Sequence, residues 1–159
     1  MPTREYFYSD TATSNFTPNC INNELTVAFG MNLHPQVIAA INELNSKGWR
    51  FFVVTQNRGR AYYRHKVITI PDWAYNRQAA GNPGYLDWYV SHECAHAYRA
   101  EANDWAANHG DSFIEELVRI CPDSSLKYEL NYKPRNAIRN GITADGYVIP
   151  QHKIRLEDL

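Results

Sequence analysis

Apolar residues recur at helical spacing in three stretches of the chain, and these set the frame for everything else. From Pro35 to about Ser46, Val37, Ile38, Ile41 and Leu44 form one face, with Pro35 suited to a first turn and Gly48 to a stop. The second stretch opens at Asn82-Pro83, an N-cap followed by proline, and runs to about Glu101. Around its wheel Leu86, Val90, Cys94, Ala97 and Tyr98 occupy the side opposite His92 and His96, which predicts a helix buried over most of its circumference. The third, Asp111 to Cys121, carries Phe113, Ile114, Leu117, Val118 and Cys121 as its stripe.

Between the first two helices the period changes. Arg50 to Thr55 and Val67 to Ile70 are rich in β-branched and aromatic residues, and Asn57-Arg58-Gly59-Arg60 supplies turn chemistry between them. A hairpin is expected there, with Tyr62 and Tyr63 in the same hairpin or in a further strand. An exposed edge of such a sheet could pair with an extended peptide. After Cys121, Pro122-Asp123-Ser124 reads as a stop and a cap, followed by a short helix from about Ser125 to Tyr132 and another turn or two from Pro134 to Arg139, ended by Gly141. Gly146 to Leu156 alternates weakly like a strand. Residues 1–24, rich in Ser, Thr, Asn and Asp, predict an irregular arm. The expected fold class is α+β, in one domain, since 159 residues suffice to bury about two thirds of the unfolded surface.

The second helix also carries the chemistry. It contains His92-Glu93-Cys94-Ala95-His96. Residues four apart stand on one helical face, so His92 and His96 can offer ring nitrogens to a single metal ion. Glu93 lies about 100° further around the helix, where it can act as a general base on water instead of binding the ion. The chain has three cysteines, Cys20, Cys94 and Cys121, and no C-x-x-C pair, so a closed thiolate site is not expected. Cys94 is read as a small buried apolar residue.

Two residues compete to be the third ligand. A metzincin would place glycine and histidine where this chain has Arg99 and Ala102, which excludes that arrangement. Glu115 stands where a gluzincin would have a glutamate, but it points away from the apolar stripe of its helix, beside Glu116 and Arg119. His109 is preferred, because Gly110 lets the backbone turn before the helix and bring the imidazole back toward the metal.

H-E-x-x-H followed after twelve residues by H-G-x-x-F resembles the SprT-like zinc metallopeptidases, small zincins that include proteases acting on proteins crosslinked to DNA. His92, Glu93, His96, His109, Gly110 and Phe113 carry the resemblance. It extends over about residues 35–121, within a domain spanning 25–159 whose last part is a C-terminal extension. The resemblance implies a zincin-like fold, one Zn²⁺ per chain held by His92, His96 and His109, Glu93 as catalytic base, and a protein or peptide substrate. The four-cysteine zinc ribbon at the C-terminus of many members has no counterpart here.

Around that centre the sequence offers further candidates. Tyr85, Trp88 and Tyr89 fall on the histidine side of the helix, where they line a substrate cleft or pack against the sheet. Asp111, Glu101 and Asp104 are candidate acceptors for a ligand's second ring N–H. Tyr132, Arg135 and Tyr147 are the unordered candidates for an oxyanion donor. Arg58, Arg60, Arg64 and Lys66 alternate with Tyr62 and Tyr63, a pattern that suits single-stranded nucleic acid and equally a solvated basic hairpin.

A net charge of −1 gives no global attraction to nucleic acid or to an anionic membrane. With no long apolar run and no secretory signal, the expected location is the cytoplasm, without a membrane partner. The leading expectation is therefore a zinc metallopeptidase. The alternatives are a catalytically weak zincin-fold binding module touching nucleic acid through residues 57–66, and a hydrolase acting on a non-peptide amide.

Overall fold

Helix α1, Pro35–Ser46, forms where the periodicity places it, and both of its ends are chemically defined. His34 caps the start, its Nδ1 accepting from the backbone N–H of Gln36, with Pro35 in the first turn. At the other end Gly48 adopts a left-handed φ of 95°, and the N–H groups of Gly48 and Trp49 return to the carbonyls of Asn45 and Leu44. That pairing is the Schellman arrangement, which satisfies carbonyls the helix leaves open. The computed structural model describes residues 33–54, 57–106 and 108–148. The arm expected over residues 1–24, Cys20, His152 and most of the last expected strand lie outside them.

The sheet differs from the expected hairpin. Strand β1, Arg50–Val54, pairs in parallel with β3, Val67–Pro71, and β2, Arg60–Tyr62, pairs antiparallel with β3, giving the order β1-β3-β2. The reversal lies at Tyr63–Lys66, where Lys66 takes a positive φ of 54°, and not at Asn57–Arg60. Two parallel strands cannot be joined by a tight turn, so the chain must cross to the far side of β3 and come back through β2. All five residues of β3 are buried, as a central strand covered on both faces requires. Gly59 serves close approach instead of turning, since a Cβ there would run into the Thr69 carbonyl and the Tyr89 ring.

Helix α2, Asp72–Ala79, follows β3 directly and was not expected, because its sequence is mostly polar and lacks a clear apolar stripe. Helix α3, Tyr85–Glu101, begins three residues after Asn82. Gly84 sits at a left-handed φ of 76°, so the chain turns through Asn82–Gly84 before the helix can start. Helix α4, Asp111–Ile120, is followed by a 3-10 turn at Asp123–Ser125, then α5, Lys127–Tyr132, and α6, Pro134–Arg139. The weak terminal strand contributes one bridge between Ile142 and Val148.

The described residues therefore form an α+β domain of six helices and one three-stranded sheet, with α3 at its centre. Helices α1, α2, α4 and α5 and strands β2 and β3 all pack on α3, and every residue of α3 from Trp88 to Arg99 is buried. Leu86, Val90, Cys94 and Ala97 join Ile41, Leu44, Phe51 and Leu117 in the main core. Among the described residues no helix is long and apolar enough to cross a membrane.

Candidate metal centre

His92 and His96, one turn apart on α3, and His109, two residues before α4, bring their ligand atoms within 4.8 Å of one another. The Nε2 atoms of His92 and His109 lie 3.2 Å apart. His92, Glu93 and His96 are 5–7% exposed, and His109 is half-buried. Phe113, one turn into α4, underlies the group, its ring centroid 4.8, 4.7 and 4.8 Å from those of His92, His96 and His109. These three histidines could hold a metal ion. Glu115 is not among them; it is exposed on α4, next to an Arg119 that pairs with Glu116 and stacks over Tyr98.

Two side chains fix the ligands in place. Glu129, on α5 and 1% exposed, accepts from His92 Nδ1 at 2.8 Å and from Trp88 Nε1 at 3.0 Å. A proton kept on Nδ1 by that carboxylate leaves Nε2 as the nitrogen turned to the other histidines. Glu129 is thus the acceptor for which Asp111, Glu101 and Asp104 were candidates. Glu101 is instead engaged by Trp49 Nε1 and Lys66, Asp104 caps the N–H of Ala106, and Asp111 is exposed in the first turn of α4. The second fastener is Arg99, buried on α3, whose guanidinium donates to the carbonyls of Asn108 at 2.9 Å and Ala106 at 2.8 Å. It ties the loop that carries His109 to the helix that carries the other two histidines.

Burial and charge divide the three imidazoles. Burial, reinforced by its histidine neighbours, holds His96 well below the ordinary histidine range, and burial first and the His92 charge second push His109 down to about 4. For His92 burial acts in the same sense, but the Glu129 and Glu93 carboxylates outweigh it and raise the value. At neutral pH His96 and His109 are therefore neutral, the form that binds a metal. Nδ1 of His96 is buried with no hydrogen-bond partner among the described residues. The residues present fit an ion.

Beside this group lies a cavity of about 380 Å³. Its buried members include His92, Glu93 and the rings of Tyr85, Trp88 and Tyr89; Arg58, Lys133 and Tyr132 are exposed members. The three aromatic residues expected either to line a cleft or to pack do both. Tyr89 accepts from the Gly59 N–H at 2.7 Å, and Tyr85 packs edge-on against Trp88 at 5.3 Å. Of the oxyanion candidates, Tyr132 has its ring 5.3 Å from that of His92, whereas Arg135 and Tyr147 are exposed residues outside the cavity lining. Burial and the charge of Glu93 raise the Tyr132 pKa, so its phenol keeps its proton.

The basic residues of 57–66 are dispersed. Arg58 lines the cavity, Arg60 lies in β2, Arg64 is in the turn, and Lys66 reaches Glu101 at 3.2 Å and the Lys47 carbonyl at 2.9 Å. Cys94 is buried, with its thiol pKa raised by that burial, in keeping with a packing residue. No protein-family model, no curated protein and no solved structure matches this chain.

Proposed function

We propose that this protein is a zinc-dependent metallopeptidase of the SprT-like kind, holding one Zn²⁺ through His92, His96 and His109. The observation that carries the reading is the convergence of three imidazoles beside a buried glutamate on the wall of a cavity. Ligand atoms about 2.0–2.1 Å from a tetrahedral zinc stand roughly 3.3 Å apart, and the His92 and His109 nitrogens are 3.2 Å apart. Imidazoles suit zinc, and three protein ligands are the number that catalytic zinc sites use, in contrast to four in structural ones.

Zinc, when bound, supplies a Lewis acid that polarises a peptide carbonyl and makes a water acidic enough to be deprotonated near neutral pH. The chain's own residues do the rest. Glu93, one residue beyond His92 and lining the same cavity, accepts the proton of the attacking water as the new C–O bond forms. The same carboxyl then delivers that proton to the departing amine nitrogen as the C–N bond breaks. Tyr132 keeps its phenolic proton and stands beside His92, so it is the donor assigned to the oxygen on which charge develops. Glu129 keeps His92 in the right tautomer, and the burial of His92, Glu93 and His96 strengthens these interactions.

Metal analysis and peptide hydrolysis together test the proposal. One zinc per chain is expected in the wild type and in Glu93→Gln, and none in His92→Ala or His109→Ala. Cleavage of a broad peptide and protein panel should be seen for the wild type alone, and a zinc-loaded wild type that cuts nothing would refute it. The nucleic-acid reading has less support, because Lys66 is held by Glu101 and Arg58 belongs to the cavity.

A further inference from the structure

The cavity next to Glu93 has a distinct chemical character. Its volume of about 380 Å³ falls in the range of roughly 300–1,000 Å³ usual for ligand pockets. Five of its lining side chains are aromatic: Trp73 from α2, Tyr85, Trp88 and Tyr89 from the N-terminal part of α3, and Tyr132 from the end of α5. They hold one another, with Trp73 edge-on to Tyr89 at 5.5 Å and Trp88 edge-on to Tyr89 at 5.7 Å. The polar atoms of three rings are already engaged by the protein, Tyr89 Oη by the Gly59 N–H, Trp88 Nε1 by Glu129 and Trp73 Nε1 by the Asn57 carbonyl. A guest would therefore meet ring faces whose edges are tied to the protein, interleaved with the polar groups of Arg58, Glu93 and Lys133.

The charges at the same cavity are arranged unevenly. Among the described residues Glu93 is the one acidic member of the lining, and it is buried beside His92, while Arg58 and Lys133 line the cavity from exposed positions. A smaller cavity of about 220 Å³ shares Tyr85, Trp88 and Tyr132 with the first and adds exposed Arg77 and the ring of Tyr128. The cleft thus continues along aromatic surface with a further cation beside it.

We infer that this cavity is the specificity subsite of the chain, taking an aromatic side chain next to the scissile bond of a peptide that also carries an acidic residue close by. The inference rests on the peptidase reading above and adds the substrate class to it. An aromatic guest gains edge-to-face contacts with the lining rings beyond its area burial, which an aliphatic one does not. A lysine or arginine guest would be repelled by Arg58 and Lys133, and an acidic neighbour would be drawn to them.

The test separates the two claims. Zinc-loaded Glu93→Gln protein is titrated with matched peptides bearing Phe, Ala or Lys at one position and Glu or Lys beside it, with tryptophan fluorescence as readout. The wild type is then given the same peptides and its cleavage sites are mapped by mass spectrometry. Burial of the ring predicts that Phe peptides bind about tenfold or more tightly than Ala peptides. The acidic neighbour should add about two- to fivefold, lost at high salt. Arg58→Glu, at an exposed position, should reverse the neighbour preference with no change in melting temperature. Peptides cut by the wild type with equal preference for Phe and Ala would overturn the subsite and leave the peptidase reading standing. Failure of the zinc-loaded wild type to cut any peptide would overturn the peptidase reading and this one with it. Displacement of the Phe peptide by a single-stranded oligonucleotide at lower concentration would overturn the subsite in favour of base stacking.

Discussion

Glu129 turns two separate side chains, His92 and Trp88, into one buried unit. Its replacement by Gln keeps the shape and removes the charge that secures the His92 tautomer, so zinc affinity should fall about 10- to 100-fold. A chelator-competition titration measures this, and an unchanged affinity would show that Glu129 is structural only. Acid should act on the metal-free protein through the other two ligands. His96 and His109 have folded pKa values below the unfolded one, so below about pH 6.5 the unfolded chain binds more protons and stability falls as pH drops toward 4. His92, raised by Glu129, contributes the opposite way, its share being fully present below about pH 6.5 and lost as pH rises through its folded value. Urea melts of the metal-free protein at pH 7, 6 and 5 should then show decreasing stability between pH 6 and 5; a constant or rising value would contradict the assignment. His92, Glu93 and His96 were legible in the sequence because one helical turn fixes their relation. Glu129 was not. It lies on a six-residue helix whose sequence, Lys-Tyr-Glu-Leu-Asn-Tyr, gives no sign which polar residue turns inward.

The elements show the same division between local and long-range information. Helix α1 and the stripes of α3 and α4 could be read from periodicity, since the pattern that defines them is carried within each segment. The pairing of β1 could not, because strand composition does not distinguish a parallel neighbour from an antiparallel one, and the return through three-residue β2 is too short to give a pattern. Gly59 looked like turn chemistry and is instead a point of contact between β3 and α3. Gly59→Ala should therefore destabilise the fold by about 1–3 kcal/mol, as overpacking of a tight site does, measurable by denaturant unfolding. Arg99 links elements in a way that spacing alone could not reveal, since what matters is its reach to the Ala106 and Asn108 carbonyls. With Arg99→Ala, amide exchange over residues 104–109 should accelerate and zinc affinity should weaken, while α1 and the sheet keep their protection. Unaltered exchange in that loop would mean that His109 is held by something else.

At the scale of the whole molecule, core and candidate site are built from the same residues. Phe113 is fully buried and its ring touches all three histidines. Its truncation to Ala should cost about 3–5 kcal/mol through the cavity left behind and should also loosen the ligands. Zinc binding to the folded state alone should raise the thermal midpoint with the logarithm of the free-metal excess, and more in the wild type than in Phe113→Ala. Zinc binding and catalysis both depend on three imidazoles meeting at one ion, and X-ray absorption at the zinc edge of the loaded protein measures that most directly. The predicted spectrum has three imidazole nitrogens at about 2.0–2.1 Å and one further light-atom neighbour. A spectrum with two imidazoles, or with a sulfur at about 2.3 Å, would contradict it.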